Sequence, residues 1–161
     1  MSTKTIVITR PSGQARQQVE LLQKAIQHSD IISPVNIISL PLLTIVPKEN
    51  EQLVDHIASA LKDADLAIFV SPNAIESVMR LLKRDWQNFS MKTIPVGVMG
   101  GSSRLALNNH GIGLEKVPTQ VLMPKDSGKW DSEGLWQELQ KLGWDWATKK
   151  IVIFKGDGGR E

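Results

Sequence analysis

The 161-residue sequence has no cysteine and no tyrosine, and only three histidines. The lack of cysteine rules out disulfides, thiolate nucleophiles and thiolate metal sites, and suits a reducing compartment. His28, His56 and His110 fall on separate helical stretches with no common spacing, so no metal-ligand pattern forms. No Ser–His–Asp arrangement can be built on a recognisable nucleophile turn. An excess of one charge is missing too. With 19 basic and 17 acidic residues the net charge is +2, and Lys149-Lys150 is the nearest thing to a basic block. That leaves no electrostatic footprint for nucleic acid. No apolar run reaches the ~18 residues a membrane span needs. The short apolar strand at the N-terminus is not the h-region of a secretory signal. The expectation is a soluble, cytoplasmic protein with neither nucleic acid nor membrane as partner.

What is present is an alternation of short apolar runs with helical periods. Thr5-Ile-Val-Ile-Thr9 reads as a strand stopped by Arg10-Pro-Ser-Gly13, and Ala15, Val19, Leu22 and Ile26 follow at helical spacing with Ser12 as N-cap. Ile31 to Val46 is apolar but broken by Pro34 and Pro41, which predicts an edge strand or a connecting ribbon. Leu53, Val54, Ile57 and Leu61 mark a second helix. Leu66 to Val70 reads as a buried strand, and Ser71 caps a helix that opens with Pro72. Thr93 to Met99 is another strand, then Gly100-Gly-Ser-Ser103 leads a helix to His110 with Gly111 at its end. A weak strand is expected at Leu114 to Val117, and a loop from Pro118 to Lys129. Asp131-Ser-Glu133 starts a helix with Leu135, Trp136, Leu139 and Leu142 inward, and Ile151 to Phe154 is the last strand. Repeated β–turn–α units predict a mostly parallel sheet flanked by helices.

In such a fold ligands gather beyond the carboxyl ends of the strands. All the distinctive turns fall there: Arg10-Pro-Ser12, Ser71-Pro-Asn73, Gly100-Gly-Ser-Ser103 and Gly156-Asp-Gly-Gly159. Gly156 and its neighbours offer backbone N–H groups to an anion, or form a structural turn. They do not complete a dinucleotide fingerprint, since the sixth position is Glu161, and no Walker lysine follows. Ser102 is either a plain cap or part of a hydroxyl-rich site. Ser71 is explained by capping, but Asn73 is not. Arg10 is suited to bidentate carboxylate binding. Trp130, Trp136, Trp144 and Trp146 read as core packing and surface cover, with an aromatic ligand platform as the alternative.

Taken in order, Ile8-Thr-Arg-Pro11, Leu40-Pro-Leu-Leu43, Phe69-Val-Ser-Pro-Asn-Ala74, Val98-Met-Gly100 with Ser103, Asp131-Ser-Glu-Gly-Leu135 and Ile153 to Glu161 resemble the uroporphyrinogen-III synthase family. The chain departs from the family pattern at Ser103-Arg104, where a Thr-Ala pair is usual, and at Lys155, where Arg is usual. It also lacks the tyrosine that lines the family's cleft. The resemblance implies two Rossmann/flavodoxin-like α/β domains joined by a two-stranded linker. Residues 1–36 would begin the first domain, 37–47 form a linker strand and 48–161 supply the second. Lys150 to Gly158 looks like a second copy of the opening at Lys4 to Gly13, without the helix that should follow. The chain is therefore read as a piece lacking the C-terminal part of the first domain, inactive alone and monomeric at full length.

The implied activity is that of a lyase: cofactor-free cyclisation of hydroxymethylbilane, in tetrapyrrole biosynthesis. Water is lost, and the terminal ring inverts through a spiro intermediate. Arg10, Ser71, Asn73, Ala74, Ser103 and Gly156 are the substrate-binding residues so implied. No catalytic residue and no metal are assigned. A flavodoxin-like flavin- or nucleotide-binding domain, or a ligand-sensing module, is the alternative.

Overall fold

The computed structural model describes residues 3–29, 34–46, 50–83, 86, 93–115 and 117–156. The chain divides into two compact units, Met1–Pro47 and Lys48–Glu161. Each is taken by itself.

The first unit is a single β–α–β motif. The β-branched run forms β1 (Lys4–Ile8), α1 spans Ser12–Gln27, and β2 (Val35–Ser39) pairs parallel to β1 with Ile6 opposite Ile37. Ser12 is not the cap. Pro11, with φ −49° and ψ 145°, is already the non-helical residue before the first turn, so the Ser12 hydroxyl comes one position late. The Pro11 carbonyl accepts from both the Gln14 and Ala15 N–H groups at 2.9 Å. Part of the stretch read as connector belongs to this sheet, because Ile37 to Ser39 lie in β2 and the Leu40 N–H donates to the Ile8 carbonyl at 2.8 Å. Pro41 has no N–H with which to extend the ladder, and Leu40 to Val46 run on exposed without regular structure. Ile31 to Ser33 lie outside the described residues.

In the second unit α2 (Glu51–Asp63), β3 (Leu66–Phe69), α3 (Pro72–Leu81), β4 (Val96–Val98), α4 (Gly101–Asn109), β5 (Val121–Leu122), α5 (Ser132–Gln140) and β6 (Ile151–Phe154) follow in order. Two 3₁₀ turns, Ser127–Lys129 and Trp146–Thr148, flank α5. The sheet runs β5-β4-β3-β6 with every pairing parallel. The central strand β3 is buried on both faces, which is why its four residues carry no polar alternation. Ala67 and Phe69 face a cluster built with Ile57 and Leu61 of α2, Ile75 and Met79 of α3, and Leu107 of α4. Leu66 and Ile68 face Leu135 and Leu139 of α5. Helices thus cover both faces, as the alternating pattern requires. Phe69 and Phe154 are register partners whose rings stack at 4.7 Å, with Trp86 at 5.8 Å from Phe69.

The local signals behave as their chemistry dictates. Asn50 accepts from the Gln52 N–H at 2.8 Å, and Asp131 from the Gly134 N–H at 2.7 Å. Gly111 takes φ +77° just past α4, as a helix-terminating glycine does. Three expectations are corrected. The loop expected from Pro118 to Lys129 contains β5, a strand of two residues that is too short to show a period. Leu114 to Val117 makes only isolated bridges, among the described residues. Trp136 is 44% exposed instead of inward, since Leu135 and Leu139 already fill the face of α5 that meets the sheet.

Candidate functional site

The four described strands of the second unit are all parallel, so the turns that follow them lie along one edge of the sheet. In spatial order the edge carries residues 123–130 after β5, Gly100 to Ser103 after β4, Ser71 to Ala74 after β3, and Lys155-Gly156 after β6. Five of the six residues expected to bind substrate, Ser71, Asn73, Ala74, Ser103 and Gly156, are placed at this edge. Arg10 is exposed in the turn after β1 and belongs to the other unit. Asp157 to Gly159 lie outside the described residues.

The individual roles are uneven. Ser71 Oγ accepts from the Ala74 N–H at 3.2 Å, the capping bond that its place before Pro72 calls for. A hydroxyl that accepts a capping bond still carries a proton of its own. Ser103 is buried, with 4% of its surface exposed, in the first turn of α4. The capping role considered for Ser102 does not hold. Gly100, extended at φ −173°, is the N-cap, and no side chain caps α4. The first N–H groups of α4 therefore have neither an intrahelical nor a side-chain acceptor, a setting that attracts negative charge. Arg104 turns away from the edge. Its Nη2 lies 3.6 Å from where a Cβ on Gly113 would stand, in the loop after α4 at the opposite end of the strands.

The connections leave the edge toward opposite faces of the sheet. The turns after β3 and β4 lead to α3 and α4 on one face, whereas the turn after β5 leads to α5 on the other. Neighbouring strands β4 and β5 thus send their chains to opposite sides, while the strand order reverses between β3 and β6, the position at which an open parallel sheet takes its ligand. Trp130, between the turns that follow β5 and β4, is 48% exposed, with its indole against Gly100 and Gly101. The sequence offered an aromatic ligand platform only as the alternative reading of four tryptophans, without singling out this one. The available signal was the adjacent glycine pair, which φ alone does not explain at Gly100.

Among the described residues, no group of three or more histidines and carboxylates stands close enough to hold a metal. No helix there is long and apolar enough to cross a membrane.

Residues 33–161 match the family described as uroporphyrinogen-III synthase HemD. The chain belongs to that family. The match takes in every turn of the sheet edge and begins just before β2. Comparison with individual curated proteins gives no match.

Proposed function

We propose that the protein is a uroporphyrinogen-III synthase, and that the carboxyl edge of the β5-β4-β3-β6 sheet supplies one wall of its active site. Membership of the family over residues 33–161 carries this reading. The substrate is hydroxymethylbilane, a linear tetrapyrrole with carboxylates on every ring. The terminal C–O bond breaks, the hydroxyl leaves with a proton as water, and the positive charge spreads over the first ring as an azafulvenium. The fourth ring attacks that carbon from its substituted position, and the spiro intermediate fragments and recloses as the type III macrocycle.

This sequence of steps asks for a surface that folds the chain of rings and tolerates a cation, more than for a nucleophile. The uncapped start of α4 and the hydroxyl of Ser71 suit the carboxylates. Arg10, exposed in the turn after β1, is suited to bidentate carboxylate binding. Asn73, Ala74 and Gly156 would shape the same wall, with Ser103 buried behind it. No cofactor takes part, the enzyme acts as a monomer, and its place is in cytoplasmic tetrapyrrole biosynthesis. The test is isomer analysis of the porphyrin formed from hydroxymethylbilane by the full-length gene product. Type III product is expected, and exclusively type I product would overturn the assignment.

A further inference from the structure

Three glycines on two elements give one tryptophan its place. The six-membered ring of Trp130 runs along the backbone of Gly100 and Gly101. A Cβ on Gly101 would stand 2.7 Å from Cη2, and one on Gly100 would stand 3.1 Å from Cδ2 and Cε3. Any side chain at Gly101 would displace the ring. The backbone of Trp130 is fixed independently. Its φ of −79° and ψ of 67°, with the Asp131 N–H donating to the Lys129 carbonyl at 2.9 Å, make an inverse γ-turn. Gly134 packs directly on that Lys129 carbonyl, leaving no room for a Cβ.

Trp86, in the same unit, is buried at 3% exposure. Trp130 instead keeps 48% of its surface open, at the divergence of the β4 and β5 turns. An indole seated on the Gly100–Gly101 backbone and carried by a γ-turn has less side-chain freedom to lose on contact. An indole face is electron-rich and favours a flat or cationic partner.

Building on the synthase reading, we infer that Trp130 is a substrate-binding residue whose exposed indole lies against a pyrrole ring of the bilane, the ring that becomes the azafulvenium cation. Gly100 and Gly101 act as positioning residues, through the indole. Cation–π attraction strengthens as the charge develops, so the contact lowers the barrier more than it tightens ground-state binding.

The experiment uses the full-length gene product with hydroxymethylbilane and compares Trp130→Phe, Trp130→Leu and Trp130→Ala, with the exposed Trp136→Ala as control. Trp130→Leu and Trp130→Ala should lose on the order of ten-fold in kcat/KM, mainly in kcat. Trp130→Phe should stay within about three-fold, because a ring face remains. Trp136→Ala should match the parent. Circular dichroism and urea midpoints separate loss of function from loss of fold. Leucine fills the seat without an aromatic face, so a Trp130→Leu enzyme as active as the parent would overturn the inference while leaving the synthase reading intact. A second readout is quenching of tryptophan emission by added uroporphyrin III. It reports whether each variant still binds the macrocycle. If the parent neither forms type III product nor binds uroporphyrin III, the synthase reading fails, and this inference falls with it.

Discussion

Replacing Gly134 by alanine sets two physical effects against each other, and the structure decides between them. Gly134 lies in the first turn of α5, where alanine should gain up to ~1 kcal/mol from helix propensity and reduced unfolded-state freedom. The new Cβ, however, would collide with the Lys129 carbonyl oxygen, a backbone atom that cannot rotate aside. That oxygen accepts from the Asp131 N–H at 2.9 Å, and the Gly134 N–H itself donates to Asp131 Oδ1 at 2.7 Å. Relief of the clash must disturb both bonds. Loss of a cap costs ~1 kcal/mol and overpacking ~1–3 kcal/mol, so the net effect is a destabilisation of ~1–3 kcal/mol after the propensity gain. With a urea m-value of ~1–3 kcal/mol/M, the midpoint of the second unit should fall by roughly 1 M. Asp131→Ala removes the same cap, so the double variant should lose less than the two single losses combined. A Gly134→Ala midpoint equal to or above the parent's would refute the reasoning.

Phe69→Ala should cost ~3–5 kcal/mol by equilibrium denaturation, because the ring is fully buried between Phe154 and Trp86. Ser71→Ala should lose ~1 kcal/mol of stability and Ser71→Thr much less, since threonine can still accept the Ala74 N–H. If the threonine variant keeps its stability yet changes the type III to type I product ratio, Ser71 touches substrate as well as capping α3. Gly143→Ala should cost ~1 kcal/mol by thermal unfolding, with Gly143→Asn recovering part of it. Here φ is +63° and nothing lies within 4 Å of the added Cβ, so backbone strain alone is measured.

The fold was legible wherever one element settled its own structure. Leu66 to Phe69 is apolar at every position because both faces of β3 are covered, and Ser71-Pro72 and Asp131 announce helix starts by side-chain chemistry. Legibility failed where a neighbour decided. Val121-Leu122 becomes a strand only because β4 lies beside it. Ser102 loses the cap to Gly100, a residue with no side chain to signal it, in a turn overlaid by the Trp130 indole. The candidate site divides in the same way. Strand-end turns could be read from the alternation of elements, and they account for Ser71, Asn73, Ala74, Ser103 and Gly156 sharing one edge. The contact of Trp130 with Gly101 joins residues 29 positions apart and has no local signature.

The position of β6 bears on how the protein is made. Strand β3 is flanked by β4 on one side and by β6 on the other, and β6 comes 85 residues after it in register, at Phe154 opposite Phe69. During synthesis at ~5–20 residues per second, that flank of β3 has no partner strand for several seconds after β3 emerges. Its sequence, Leu66-Ala-Ile-Phe69, is uncharged and apolar, the type of segment that pairs with other chains when its edge is open. Closure of the sheet therefore waits on one of the last described elements to be translated. Slow elongation between residues 82 and 151 would favour aggregation, and chaperone dependence should be greatest for nascent chains of those lengths.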